Sequence, residues 1–277
     1  MNNLTNVQGN TGLMQGFMMG SGMDGFENIG QEDLSLGKIK LLQATSQEVN
    51  ERKGMAGQFY NSQTGESKDE IICYFLKVSK PRSAFERPYV KGSKPKCRSI
   101  DGKCGISASG AKRSCANCPD ANWDVAKAAG KSKPDCTESY AWLGALLEDE
   151  TPFRFTCSGD NVKITRQFIN TLIHKRVAMF CHTVKLTAEQ VSNNKGTYYV
   201  VKYNLVESYD PKTLQELPVE KQQELAQLWS DRQGMAESLS EFFDRDIDID
   251  NNVIDAEMVV AEQNVEPETD TKTNVLF

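Results

Sequence analysis

The sequence predicts an α+β protein, mainly β, in which a cysteine-rich loop interrupts a set of strands, amphipathic helices flank them and both termini are disordered. Two patterns and one spacing carry this prediction. Between Leu34 and Ser208, short runs of β-branched and aromatic residues alternate with Gly, Asn and Pro, the punctuation of strands and turns. From Asn161, and again beyond Asp210, the apolar period changes to the 3.6 residues of a helix. Five of the eight cysteines fall between Cys97 and Cys136, spaced C-x6-C-x10-C-x2-C-x17-C.

Residues 1–33 are rich in Gly, Met and Asn without any period. Such composition cannot bury enough surface to offset chain entropy, and a disordered arm is expected. Order is expected from Leu34: LGKIKLLQATS alternates as a first strand, and GQFYNSQTGES as a strand with a turn at Thr64 and Gly65. The clearest strand is DEIICYFLKVSK, Asp69 to Lys80, which Pro81 ends. The segment 81–136 has no sustained period, and a loop so long needs an outside constraint. ESYAWLGALLE and TPFRFTCSG return to strand pattern across an acidic turn at Glu148 to Glu150.

From Asn161, residues Ile164, Phe168, Ile169, Leu172 and Ile173 form one face of an amphipathic helix that Asp160 or Asn161 can cap. VAMFCHTVKL and TYYVVKYNLVES then read as an antiparallel pair joined around Asn193, Asn194 and Gly196, with Tyr199, Val201, Tyr203 and Leu205 sharing a face. Asp210-Pro211 starts a short helix and Pro218 restarts it. The stripe Leu225, Leu228, Trp229, Met235, Leu239, Phe242 and Phe243 is expected to pack on the sheet. Residues 244–277 read as an acidic disordered tail ending in the apolar Val275, Leu276 and Phe277, a candidate partner-binding plug.

With 39% hydrophobic and 25% charged residues the composition is that of a soluble protein. No apolar run reaches membrane-spanning length and the start lacks a signal-peptide pattern, so the expected location is the cytoplasm. In a reducing compartment clustered cysteines serve as metal ligands rather than disulfides. Cys73, Cys157 and Cys181 lie outside the cluster in strand-like contexts and are expected to be buried thiols. The net charge of −6 hides an asymmetry. Lys77 to Pro134 carries fourteen basic against four acidic residues, +10, whereas Glu241 to Phe277 carries two against eleven, −9. A basic middle and an acidic end point to a polyanion site with an interaction tail.

Cys115-x2-Cys118 is the strongest chemical unit, since a tight turn can aim two thiolates at one tetrahedral ion, and thiolates favour zinc. One structural zinc needs four ligands. Cys97, Cys115, Cys118 and Cys136 close two long loops onto the C-x2-C pair, and in the competing set Cys104 replaces Cys97 or Cys136. His174 and His182 read as ordinary core or surface histidines. Around the cysteines, Lys91, Lys94, Lys96, Arg98, Lys112 and Arg113 are interleaved with Phe85, Tyr89 and Trp123. Cations neutralise phosphates and exposed rings stack on unpaired bases, the pairing that a single-strand groove requires. The tail can compete with nucleic acid for such a groove and contact proteins when released. There is no H-x-E partner for a zinc deaminase, no P-loop, no G-x-S-x-G and no H-E-x-x-H, and the protein is expected not to be an enzyme.

A strand-rich core interrupted by a basic cysteine loop and followed by an acidic tail ending in Phe277 resembles the single-stranded DNA-binding proteins of bacteriophages and mobile elements. Cys104, Cys115 and Cys118 match the cysteine spacing of their zinc-bearing members; some of those have an upstream histidine ligand, and here no histidine precedes Cys104. The resemblance implies an OB-like five-stranded barrel over residues 34–243 with a zinc-loop insertion at about 81–136. It further implies protection of single-stranded DNA in replication and recombination in a bacterial host cell, with partner proteins recruited by the tail. The rival reading is a zinc-ribbon regulatory protein that binds polymerase or duplex nucleic acid.

Overall fold

Thirteen strands carry most of the order in the computed structural model, which describes residues 35–86, 94–131, 133–193 and 196–250. In chain order they are β1 (Gly37–Leu41), β2 (Phe59–Asn61), β3 (Ser67–Lys68), β4 (Glu70–Ser79), β5 (Arg82–Ala84), β6 (Cys97–Ser99), β7 (Cys104–Ser107), β8 (Lys112–Ser114), β9 (Cys136–Glu138), β10 (Tyr140–Leu146), β11 (Pro152–Cys157), β12 (Thr183–Asn193) and β13 (Gly196–Glu207). The helices are α1 (Gln47–Asn50), α2 (Trp123–Ala128), α3 (Asn161–Lys175), α4 (Pro211–Gln215) and α5 (Val219–Asp250). No described helix is long and apolar enough to cross a membrane.

The fold is mainly β with flanking helices, as the patterns predict, but the strand count differs. In place of a single five-stranded set, the described residues form an eight-stranded sheet, ordered β13-β12-β4-β10-β11-β1-β2-β3, and a separate five-stranded sheet, β8-β7-β6-β5-β9. Neighbours in the larger sheet are antiparallel except β1 and β11, which run parallel. That sheet curls until its far members meet: the Gln43 side chain, just past β1, accepts from Tyr199 N (2.9 Å) and donates to Tyr199 O (3.0 Å) on β13. A side-chain amide carries both N–H donors and a carbonyl acceptor, so it can stand in for a backbone partner at this seam.

The apolar runs of β4 and β10 are continuous because both faces of these strands are covered. On one face Cys73 and Phe75 of β4 join Trp142 of β10, Phe155 of β11 and Phe168 and Leu172 of α3. On the other, Tyr74, Leu76, Ala141, Leu143 and Ala145 are covered by Leu239, Phe243 and Ile247 of α5. The register slips between Leu143 and Gly144, where a Cβ would meet Phe153 at 2.8 Å and the Tyr74 carbonyl at 3.0 Å, so only glycine fits. Cys73, Cys157 and Cys181 are buried, as expected; burial pushes the Cys157 thiol up to about 11 and the Cys181 thiol up to about 12.

Three local expectations change. In α3 the packed face is Val162, Thr165, Phe168, Ile169 and Leu172, while Ile173 is 66% exposed, because the helix is rotated toward Tyr203. The two candidate caps of α3 are engaged elsewhere: Asp160 accepts from the Tyr198 hydroxyl, and Asn161 Oδ1 accepts from Val201 N at 2.8 Å. The expected boundary at 243/244 falls inside α5. Lys77 pairs with Asp244 at 2.9 Å, Asp246 Oδ2 accepts from Leu36 N at 2.7 Å, and Ile247 is buried, so these acidic residues dock on the sheet. The arm (1–33) and the tail plug Val275, Leu276 and Phe277 lie outside the described residues.

Candidate functional site

The five-stranded sheet is the segment between β4 and β10. Its root is tied to the larger sheet at Glu138, which meets Lys80 Nζ (2.9 Å), Arg82 Nη2 (3.1 Å) and the Arg166 guanidinium of α3. Burial works to raise the Glu138 carboxyl, but Lys80 first, with Arg166 and Arg82, holds it below its ordinary value. Ser79 Oγ donates to Ile100 O at 2.7 Å beside it.

Strand register brings the cysteines together. Ala84 of β5 is opposite Cys97 on one side and Cys136 on the other. Residues in register on neighbouring strands point to one face, so these two side chains flank the small Ala84 across two strand spacings, roughly 10 Å between backbones. Cys115 and Cys118 follow β8, in a turn closed by Cys118 N donating to Cys115 O. All four cysteines line one small cavity, with Arg82, Arg98, Ser99 and Arg113 around it. Cys104 is exposed and is not among the lining residues. Gly105 keeps the space open: a Cβ there would stand 2.8 Å from Cys97 Sγ and 3.5 Å from Cys115 Sγ. Burial pushes the Cys136 thiol up to about 12, against the pull of Arg82. Among the described residues no group of three or more His, Cys, Asp and Glu stands in an arrangement that holds a metal ion.

The basic residues divide into two sets. Lys96 bridges Asp120 (3.1 Å) and Asp135 (3.2 Å), and Arg113 reaches Asp120 at 2.8 Å and Cys97 Sγ at 3.2 Å through its Nε–H. Burial works against the charge on both Lys96 and Asp120, and their hydrogen bonds outweigh it, raising Lys96 and lowering Asp120. Both cations are therefore committed within the module rather than offered as phosphate contacts. Lys94 and Lys112 are exposed, and Arg98 is half-buried. Of the expected stacking rings, Phe85 is buried, 3% exposed, and cannot meet a base; Trp123 is 57% exposed at the start of α2. Asn122 caps that helix, accepting from Asp124 N (2.8 Å) and Val125 N (3.3 Å), which fixes the backbone that presents Trp123. Tyr89 and Lys91 lie outside the described residues.

Sequence reasoning missed Arg82 and Gly105 at the cavity. Gly105 directly follows Cys104, and small residues beside clustered cysteines are a usable signal. His182 is buried and His174 exposed, and neither lines the cysteine cavity.

Neither a curated protein nor a solved structure matches the chain. The family model of the Pam3 phage gp34-like protein matches residues 8–218, three quarters of the sequence and both sheets. The chain belongs to the Pam3 phage gp34-like protein family.

Proposed function

We propose that the chain is a single-stranded DNA-binding protein without sequence preference, serving phage replication and recombination. The observation that carries this reading is the place of the basic module, in the connection between β4 and β10. Five strands of the larger sheet support an OB-type barrel: β4, β10 and β11 form an antiparallel meander, α3 follows, and the β12–β13 hairpin returns with β12 against β4. In that order the first connection is one of the loops with which OB-folds bind oligonucleotides. On this reading β1, paired with β11 and β2, is an added strand at the seam where Gln43 meets β13. Because α5 covers the outer faces of β4 and β10, the strand lies along the module, on Lys94, Lys112 and Trp123, rather than across the sheet.

One structural zinc completes the proposal. The described side chains are not gathered tightly enough to hold an ion as they stand, and what supports a thiolate-bound cation is the donor chemistry: four cysteines lining one cavity, the bare Gly105 beside two of the sulfurs and guanidinium donors around them. Cys97, Cys115, Cys118 and Cys136 would hold it, and the closed tetrathiolate shell would order the loop without doing chemistry. The acidic tail competes for the basic surface and recruits replication and recombination proteins when displaced. The rival, a zinc-ribbon contact module for polymerase or duplex, is favoured by the apolar exposure of Trp123, Val125 and Ile106 and by the burial of Phe85.

Tryptophan fluorescence separates the two. Trp142 is buried, Trp229 half-buried and Trp123 open, so oligo(dT) should quench the Trp123 signal, Trp123→Phe should remove that quenching, and duplex of equal length should have little effect. Quenching by duplex alone would sink the single-strand reading. Affinity should fall steeply with salt through counterion release. Deleting residues after Asp250, which leaves α5 whole, should tighten binding; unchanged or weaker binding counts against tail competition. Elemental analysis of protein purified without added metal should find about one zinc per chain, as a closed structural site requires.

A further inference from the structure

We infer that Arg113 and Arg82 form the counter-charge of the cysteine centre, a positioning role toward the metal, and that neither is a nucleic-acid contact. The inference rests on the zinc reading above and extends it to the groups around the ion.

A zinc ion held by four thiolates carries a net charge of about −2, and donors that meet its sulfurs offset that charge and orient the ligands. Both arginines line the cysteine cavity. The Arg113 Nε–H donates to Cys97 Sγ at 3.2 Å while its Nη2 is held by Asp120 Oδ2 at 2.8 Å, so the planar fork is fixed from its outer side and aimed at sulfur from its inner side. Lys96 in turn holds Asp120 at 3.1 Å, which locks the carboxylate that locks the guanidinium. Such support from outside the ligand shell is what orients donors at metal sites.

Arg82 enters from β5, two residues before Ala84 and so on the same face as Cys97 and Cys136. Its Nη2 is taken by Glu138 at 3.1 Å. Its Nε–H is buried without a partner among the described residues. A buried guanidinium donor left unpaired is costly, and it is explained if the cavity beside it carries negative charge. The two arginines approach from different strands, β5 and β8, so the charge is met from two sides of the module.

The test uses the full chain, stripped of metal under reducing conditions and titrated with zinc against a chromophoric chelator, with cobalt substitution to read the thiolate-to-metal band. Arg113→Gln should weaken zinc binding ~10- to 100-fold, the usual cost of losing an outer-shell partner. The zinc-saturated variant should bind oligo(dT) as the native chain does, while Lys112→Gln should lower oligonucleotide affinity and leave zinc binding alone. Arg113→Lys, which keeps the charge without the fork, should lie between Gln and the native residue, and its cobalt band gives a readout even if Arg113→Gln fails to fold. Unchanged zinc affinity in both Arg113 variants, or loss of oligo(dT) binding at full zinc occupancy, overturns the assignment. If the native chain itself takes up neither zinc nor cobalt, the zinc reading falls and the arginine assignment with it, an outcome distinct from native uptake with indifferent variants.

Discussion

In the eight-stranded sheet the order comes from burial: Phe75 stacks on Trp142 at 4.2 Å, Phe168 stacks on Tyr203 at 4.4 Å, and helices cover both faces of β4 and β10. In the five-stranded sheet no strand exceeds four residues, and what holds it is polar: the Lys96, Asp120, Arg113 and Asp135 ion pairs, the Glu138 root and the cysteine cavity. Ion pairs that remain partly open to solvent contribute little each, roughly 0–1 kcal/mol. The first region is held by buried apolar area; in the second, the proposed cation would add what these ion pairs do not supply.

The sharpest way to break this contrast is Cys118→Ser. On the zinc reading it removes a ligand whose site supplies most of the module's order, since apparent binding energies of structural zinc reach about 10 kcal/mol or more. Amide exchange in β6, β7 and β8 should rise to that of an open chain while β4 and β10 stay protected. Continued protection of the module would show that the cysteines pack as plain thiols.

The converse substitution, Trp142→Ala, should cost ~3–5 kcal/mol in denaturant unfolding, as for a large aromatic removed from a core. Its indole N–H also donates to the Tyr203 hydroxyl at 3.2 Å, which Thr165 shares at 2.9 Å. Zinc uptake should be unaffected; loss of zinc in this variant would mean that the two sheets are one cooperative unit.

The smallest effect concerns pH. His182 is buried, and burial, with Lys175, holds its pKa below 6.5. As pH falls through 6.5 the unfolded chain takes up a proton that the folded chain does not, so a stabilisation present above that pH is progressively lost below it. The denaturant midpoint should fall on the acid side, and His182→Gln should flatten that dependence. A slope that survives the substitution would move the acid sensitivity to other groups.

Much of the larger sheet was legible because its signals are local. IICYFL and YAWLGALL announce strands by their β-branched and aromatic runs, and Thr64-Gly65 announces the β2–β3 turn, where Gly65 has φ +74°. The errors share a cause, which is that a pattern gives a face without saying what lies opposite. Ile173 has the right spacing but points off the packed side of α3. Asp244 and Asp246 look like tail, yet Lys77 and Leu36 N wait for them on the sheet. Phe85 and Arg113 look like groove residues, yet one is buried and the other is aimed at Cys97.

The amino-acid sequence by itself determined the strands, the amphipathic helices and the clustering of thiols and cations, since period, turn residues and composition act over neighbouring positions. Only the tertiary structure decided which four cysteines share a cavity and which cations remain free. Those choices depend on strand register, with Ala84 set between Cys97 and Cys136, and on carboxylates at 120, 135 and 138 that reach across the module. Register is fixed by pairings between distant segments, and no local pattern encodes them.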